Sequence, residues 1–304
     1  MKTFLLILLA ALAAAPAALA DGVPQYAAQG GIGVLAPDGT HYVALGPTRA
    51  RTTLVFVGSD GRLWTGPTLR GSWGTPMVTQ RDVGGLSRDG RLFFLQSTTI
   101  GSPTSFLVLD THGFRVRDRF RLHGTFSFDA LSPDGSRLYV IQRIDASNLS
   151  RYVVRAYDLR THRLLPARIS DPTQRTWVMQ GDPWTRVSDS TGRWVYTLYS
   201  NPGGYPFVHA LDTVRGVAHC IGIPWSSTDQ TPLFNVVLHL RKGSLDLDWR
   251  SGRPYLRIDT ATWRVSQPPG SSFPWPWLAL VLLPAAAAVG WRRRPRGTLR
   301  PREA

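Results

Sequence analysis

A short turn sequence recurs along the chain at intervals of about 50 residues, and this repeat constrains the fold more than any other feature. Three copies begin with Leu and end in Asp-Gly, at residues 35–39, 86–90 and 131–135, and weaker copies end at Gly192 and Gly243. Aspartate accepts hydrogen bonds from the backbone of its own turn, and glycine takes the positive φ that closes it. Each copy therefore predicts a tight turn between two β-strands.

The segments between these turns have the composition of short strands. Runs such as RLFFLQ and RLYVIQ follow the turns, and further runs such as SFLVLD and YVVRAYD end in a second polar turn. Short strands bounded by regular turn signals are typical of all-β folds, and four strands per repeat are typical of propeller blades. We therefore predict an all-β protein with a β-propeller of about five four-stranded blades in residues 21–268, with six blades as the alternative.

The third repeat carries the clearest motifs, LSPDGSRLYVIQ followed by VVRAYDLRTHRL. With these motifs the sequence resembles bacterial extracytoplasmic β-propellers of the YVTN and WD40-like repeat type, and the resemblance covers residues 30–268. It implies the propeller fold. It implies no particular activity, because propellers host many unrelated functions.

The two ends of the chain predict its location. Residues 1–20 combine Lys2, an apolar run and the small-residue site Ala18-Leu19-Ala20, which is the pattern of a cleaved signal peptide. Residues 273–291 carry no charge and are long enough to cross a hydrocarbon layer of about 30 Å. We predict a transmembrane helix there, joined to the propeller by a tether at 269–272.

The arginine-rich segment 292–304 follows the predicted helix directly, so it is expected to remain on the cytoplasmic side. The chain has 35 Lys+Arg against 20 Asp+Glu, a formal net charge of +15. Six of the arginines follow the predicted helix directly, so contact with anionic lipid explains this basic run better than nucleic acid does. We therefore expect a single-pass cell-membrane protein with its propeller outside, in contact with membrane lipid and with no nucleic-acid partner.

Aspartates recur at one position of the repeats, and we interpret them as structural turn acceptors. They are Asp38, Asp89 and Asp134 in the first turn and Asp60, Asp110, Asp158, Asp212 and Asp259 in the second. The only glutamate, Glu303, lies in the predicted tail, which disfavours a glycosidase with two placed carboxyls. We predict no catalytic residue and no cofactor.

Loop length distinguishes the two faces of the predicted propeller. The repeated turns form a tight-turn face, whereas longer connections such as 97–105, 144–151 and 200–205 form a long-loop face. Loops on a rigid scaffold often carry binding, and Trp, Tyr and Arg are enriched in interface hot spots. The candidate binding residues are Trp73, Arg81, Arg151, Trp177, Asp182, Trp184, Arg186, Tyr205, Trp225 and Asp229. The alternative is that the aromatic residues fill the blade rims or the central channel.

Three functional hypotheses follow. In the first, the protein is a binding module for a protein, peptide or envelope polymer. In the second, it is a propeller hydrolase or lyase with a metal in the central channel, where Asp129 and Asn235 are weak candidate ligands on predicted innermost strands. In the third, it is a sensor whose basic tail requires an intracellular partner. The single cysteine, Cys220, excludes an internal disulfide and is expected to be a buried, inert thiol.

Overall fold

The computed structural model describes residues 26–31, 33–48 and 50–267. The predicted signal peptide, the tether, the transmembrane helix and the basic tail lie outside the described residues. Within the described part of the chain, no helix has the length and apolar character needed to cross a membrane.

The described residues form 22 strands and one short 3₁₀ helix. The first nine strands are β1 (Ala27–Ala28), β2 (Val34–Leu35), β3 (His41–Thr48), β4 (Arg51–Val57), β5 (Leu63–Arg70), β6 (Trp73–Pro76), β7 (Leu92–Ser97), β8 (Thr104–Asp110) and β9 (Arg115–Leu122). The next nine are β10 (Thr125–Leu131), β11 (Arg137–Arg143), β12 (Arg151–Asp158), β13 (Arg163–Ile169), β14 (Met179–Gln180), β15 (Asp182–Ser188), β16 (Trp194–Ser200), β17 (Phe207–Asp212) and β18 (Val217–Gly222). After the 3₁₀ helix (Thr231–Asn235) come β19 (Val236–Arg241), β20 (Ser244–Trp249), β21 (Pro254–Asp259) and β22 (Val265–Ser266).

These strands form five antiparallel sheets that follow one another along the chain. Sheet one has the order β2-β3-β4-β5, sheet two β1-β6-β7-β8-β9, sheet three β10-β11-β12-β13, sheet four β15-β16-β17-β18 and sheet five β19-β20-β21-β22. The predicted all-β fold with five repeated units of four strands is confirmed over the described residues.

Two short strands were not predicted. β1 pairs with β6 and adds a fifth strand at the inner edge of sheet two, and β14 pairs with β12 in sheet three. Neither has the run of β-branched or aromatic residues that identifies a strand in sequence. Ala27 and Ala28 are both buried, which places the start of the described chain inside the fold.

The repeated turns have the predicted hydrogen bonds. Asp134 Oδ1 accepts from Ser132 Oγ at 2.6 Å, from Ser136 N at 3.1 Å and from Ser136 Oγ at 2.8 Å. Gly135 closes the turn with a φ of 67°. These side-chain hydrogen bonds lower the pKa of Asp134 to about 2. Carboxylates likewise accept backbone N–H groups at Asp38, Asp89, Asp60, Asp110, Asp158, Asp212 and Asp259.

Sheets two, three and four each carry apolar side chains on both faces, and these side chains pack against the neighbouring sheets. In β7, Phe93 and Leu95 belong to the apolar cluster between sheets one and two, whereas Phe94 belongs to the cluster between sheets two and three. Similar clusters join sheet three to sheet four and sheet four to sheet five. Among the described residues, no apolar cluster joins sheet five to sheet one.

Candidate functional site

A cavity of about 290 Å³ is lined by the segment between β6 and β7, by β10 of sheet three, and by β15 and β16 of sheet four. Its lining includes the tight turns at Ser132–Pro133 and near Gly192, so it lies at the tight-turn end of the inner strands. Arg88 extends across this end, and its Nε donates to Ser190 O in the turn of sheet four at 2.9 Å. We call this space the axial cavity.

A buried ion pair lies in the wall of the axial cavity. Arg186 Nη2 is 2.5 Å from Asp129 Oδ1, and Arg186 Nη1 donates to Asp129 O at 2.6 Å. The side chain of Arg186 is 10% exposed and that of Asp129 is 4% exposed. The register between β10 and β11 shifts between Phe128 and Ala130, so Asp129 lies at a β-bulge. Bulges redirect side chains, and this one allows Asp129 to reach the neighbouring sheet.

Two polar atoms of this pair have no partner. Asp129 Oδ2 and Arg186 Nε are both buried and make no hydrogen bond to any described residue. Buried polar atoms in folded proteins are nearly always paired, with protein, ordered water or a ligand. The ion pair therefore contains one acceptor atom and one donor atom that are shielded from solvent and have no hydrogen-bond partner among the described residues.

Two candidate residues of the long-loop face are joined by a residue that was not predicted. The Arg81 guanidinium lies 4.5 Å from the ring centroid of Phe234, and Arg81 Nη1 donates to Phe234 O at 3.4 Å. The Trp184 ring meets Phe234 edge-on, with a centroid distance of 3.7 Å. These three residues bring sheets two, four and five together, and we call them the Arg81 cluster. Nothing in the local sequence around Phe234 signals this contact.

Trp225 and Asp229 lie together at the end of sheet five. Trp225 Nε1 donates to Asp229 O at 3.0 Å, and the Trp225 ring packs near Trp249 and Tyr255. Asp229 Oδ1 accepts from Thr231 N at 2.9 Å, at the start of the 3₁₀ helix, and hydrogen bonds to Thr231 lower its pKa. These contacts give both residues a role in holding the loop that precedes β19.

The predicted loop location is wrong for four of the candidates. Trp73 lies in β6, and Asp182, Trp184 and Arg186 lie in β15, because pairing with the next strand begins earlier than the strand-like runs suggest. Trp73 is only 6% exposed and fills the space between sheets one and two. Its indole N–H donates to Arg70 O at 2.8 Å.

Three further candidates lie in or beside the long connections. Tyr205 is 69% exposed and Trp177 is 37% exposed, with Trp177 packed edge-on against Phe207. Arg151 begins β12 and pairs with Asp145 at 3.2 Å.

A buried arginine, Arg143, lies at the long-loop end of sheet three, beside residues that adjoin sheets two and four. The Arg143 guanidinium lies 5.7 Å from the ring centroid of Tyr26 and 5.3 Å from that of Tyr152. Burial raises the pKa of Asp182, and the charge of Arg143 partly opposes this shift. Because Tyr26 directly precedes β1, the start of the described chain packs against Arg143 of sheet three.

The two weak metal candidates lie on different elements and make other contacts. Asp129 is paired with Arg186. Asn235 was predicted on an innermost strand, and this location is wrong because Asn235 is the last residue of the 3₁₀ helix before β19. Asn235 O accepts from Arg250 N at 2.6 Å. Within the described residues, no group of three or more His, Cys, Asp or Glu side chains is placed to hold a metal ion.

Cys220 lies beside a histidine, but the two do not form an activated pair. Cys220 Sγ is 3.6 Å from His209 Nδ1. Burial raises the pKa of the Cys220 thiol to about 12 and lowers the pKa of His209 to about 4. Both side chains are therefore neutral near pH 7, whereas a reactive cysteine needs a stabilised thiolate.

No protein-family profile and no curated protein matches the sequence. Among solved structures, TolB from Acinetobacter baumannii has 13% identity and a TM-score of 0.43, covering 77% of this chain and 55% of that one. The uncharacterized protein lmo1340 from Listeria monocytogenes EGD-e has 9% identity and a TM-score of 0.45, covering 81% and 85%. A structure from a study of two prolyl endopeptidases has 13% identity and a TM-score of 0.45, covering 90% and 42%.

The chain thus spans 55% of the length of the matched TolB structure. Because these TM-scores are below 0.5, the fold assignment rests on the sheets themselves. Five antiparallel sheets of four or five strands, with apolar clusters between successive sheets, fit a β-propeller.

Proposed function

We propose that the protein is a membrane-anchored extracytoplasmic binding module. Its long-loop face would bind a protein, a peptide or an envelope polymer. The observation that carries this proposal is the Arg81 cluster, in which an arginine and two aromatic rings from three sheets meet at the long-loop end. Arginine and aromatic residues that pack on a rigid scaffold are typical of interface hot spots.

The membrane anchor in this proposal rests on the sequence alone. The uncharged segment 273–291 and the arginines after it support one membrane crossing, and residues 1–20 support export. The predicted tether of 269–272 is short, so the propeller would lie close to the bilayer. Its partner would then be another component of the cell surface.

The alternative of a metal-dependent hydrolase or lyase has no specific contact in its favour. Of its two candidate ligands, Asp129 is already engaged by Arg186, and Asn235 is on a different element. The binding-module proposal requires no catalytic group.

Site-specific photocrosslinking in intact host cells tests this proposal. A photoreactive phenylalanine would replace Tyr205 on the long-loop face or, as a matched control, Val214, which is 53% exposed in the turn between β17 and β18. We expect a discrete adduct from position 205 that weakens when Arg81→Glu is added, and no such adduct from position 214. Equal adducts from both positions, or none from position 205, would contradict the proposal.

A further inference from the structure

Two arginines lie directly opposite each other at the long-loop end of sheet one. Arg51 is the first residue of β4, Arg70 is the last residue of β5, and the two are partners in the strand register. Side chains at such positions start only about 4.5–5.5 Å apart at Cβ, and two like charges there destabilise a sheet. Both residues are exposed, so a ligand in solution can reach them.

The strand register shows which face of sheet one carries these arginines. The next pair along the two strands is Thr52 and Leu69, and Leu69 belongs to the apolar cluster between sheets one and two. Successive side chains of a strand point to opposite faces of the sheet. Arg51 and Arg70 are therefore on the face of sheet one that is turned away from sheet two.

A pair of threonines lies on the same face, one step further along the strands. Thr53 and Thr68 are register partners, and their hydroxyl oxygens are 3.0 Å apart. Only one hydroxyl hydrogen is needed for the bond between them, and the other is free to donate. This face of sheet one thus combines two guanidinium groups with one available hydroxyl donor.

The two arginines have no neutralising group nearby. Among the described residues, no hydrogen bond or ion pair holds either guanidinium. The aspartates of sheet one, Asp38 and Asp60, lie in the tight turns, at the other end of β4. From Arg51 to Val57 this strand rises by roughly 20 Å. The repulsion between the two guanidinium groups is therefore not offset within sheet one.

A second cross-strand arginine pair, in sheet three, shows the contrast. Arg155 and Arg168 are also register partners. There, however, Arg155 Nη2 donates to Leu165 O at 2.6 Å and Arg155 Nη1 donates to Gln142 Oε1 at 3.0 Å. Those bonds use the guanidinium of Arg155 within the protein, whereas the guanidinium groups in sheet one remain available to a ligand.

A phosphate monoester matches this set of groups. It carries a charge of about −1.5 to −2 at pH 7 and three acceptor oxygens, so it can neutralise two arginines at once. The planar fork of a guanidinium can donate two parallel hydrogen bonds to phosphate oxygens. An anion with a single charge would leave part of the repulsion between the two arginines in place.

We propose that the outer face of sheet one binds a phosphate monoester group between Arg51 and Arg70. The two guanidinium groups donate to its oxygens, and the free hydroxyl of the Thr53–Thr68 pair donates to it from below. This site is on sheet one, whereas the Arg81 cluster joins sheets two, four and five, so the inference goes beyond the proposed function.

Two aromatic anions of similar shape test the charge preference. They are 4-fluorophenyl phosphate and 4-fluorobenzenesulfonate, and at about pH 7.5, above the second phosphate pKa of about 6, only the first carries two charges. Binding to the full-length protein in mild detergent and low salt is followed by fluorine NMR, with empty micelles as the blank. We expect the phosphate to bind at least roughly tenfold more tightly than the sulfonate.

Paired substitutions localise the binding. Arg51→Gln/Arg70→Gln should weaken binding of 4-fluorophenyl phosphate at least roughly tenfold. The matched control is Arg115→Gln/Arg163→Gln, which also removes two exposed arginines at strand ends, each of them opposite an aspartate. The control should bind the probe like the wild-type protein. Near-UV circular dichroism confirms that the variants are folded.

A single charge reversal gives a second variant that should fold. Arg70→Glu places opposite charges across β4 and β5, so it removes the repulsion within the sheet and should abolish binding of the phosphate probe. Loss of binding in a folded Arg70→Glu protein supports the proposal even if the double variant is unstable.

Competition distinguishes a soluble phosphate from a lipid headgroup. The bound probe is titrated with inorganic phosphate or with phosphatidic acid placed in the detergent micelles. Displacement by inorganic phosphate at the lower concentration indicates a soluble ligand, and displacement by phosphatidic acid at the lower concentration indicates a lipid. Absence of binding, equal affinity for the two probes, unchanged binding in Arg70→Glu, or an equal loss in the control variant would overturn the proposal.

Discussion

Arg186 Nη2 lies 2.5 Å from Asp129 Oδ1 and connects the innermost strands of sheets three and four. The two residues are 57 positions apart in the chain. Both are largely buried, so the pair links two repeat units inside the fold rather than at its surface.

Breaking this ion pair should strongly destabilise the protein. Asp129→Ala leaves a buried guanidinium without its carboxylate, and we expect a loss of roughly 3–5 kcal/mol in the free energy of unfolding. The double variant Asp129→Leu/Arg186→Met removes both charges and should lose less. Urea denaturation of the two variants measures the difference. If the double variant is as unstable as Asp129→Ala, the uncompensated charge of Arg186 is not the cause of the lost stability.

A buried glutamine should hold sheet two against sheet three. Gln96 is 1% exposed, its Nε2 donates to Phe126 O at 2.9 Å, and its Oε1 accepts from Phe128 N at 3.0 Å. Gln96→Leu keeps the approximate volume but removes both hydrogen bonds, and we expect a loss of about 2 kcal/mol in unfolding free energy. The same change at exposed Gln174 is the control and should have almost no effect.

The aspartates of the first turn should differ in their contribution to stability. Asp134 accepts three hydrogen bonds within its turn and a fourth from Arg160 Nη2 at 3.4 Å, whereas Asp38 accepts one, from Thr40 N at 2.8 Å. We expect Asp134→Ala to lose roughly 1–2 kcal/mol and Asp38→Ala to lose less. Thermal denaturation followed by circular dichroism compares the two. A larger loss of stability in Asp38→Ala than in Asp134→Ala would contradict the view that the number of hydrogen bonds determines how much each aspartate stabilises the protein.

Stability should fall between pH 6.5 and pH 4 because of His209. Burial lowers its pKa in the folded protein to about 4, whereas the unfolded chain has an ordinary histidine pKa of about 6.5. The unfolded state therefore binds more protons in this window, and the stabilisation present above pH 6.5 is lost as the pH falls. Between pH 7 and pH 5 the loss should be about 2 kcal/mol.

The variant His209→Gln isolates this contribution. It cannot titrate, so its unfolding free energy should change less than that of the wild-type protein between pH 7 and pH 5. Urea denaturation at the two pH values gives the comparison. Identical pH dependence in both proteins would rule out His209 as the cause.

Part of the candidate site could be predicted from the sequence. Arg186 was identified by its residue type and Asp129 by its expected place on an innermost strand, and both line the axial cavity. Their pairing could not be predicted, because it depends on the bulge at Asp129 and on how sheets three and four face each other. Phe234 was missed for the same reason, since its contact with Arg81 spans 153 positions.

The sequence by itself determined the all-β class, the five repeated units and the hydrogen-bonding role of the turn aspartates. These features arise from interactions within a few residues, where the alternation of side chains and the conformations of Asp and Gly suffice. The tertiary structure alone decided the insertion of β1 beside β6, the Gln96 link, the Arg81 cluster and the burial of the unpaired polar atoms of Asp129 and Arg186. Each of these depends on strand register and on the packing of one sheet against another, which no local pattern encodes.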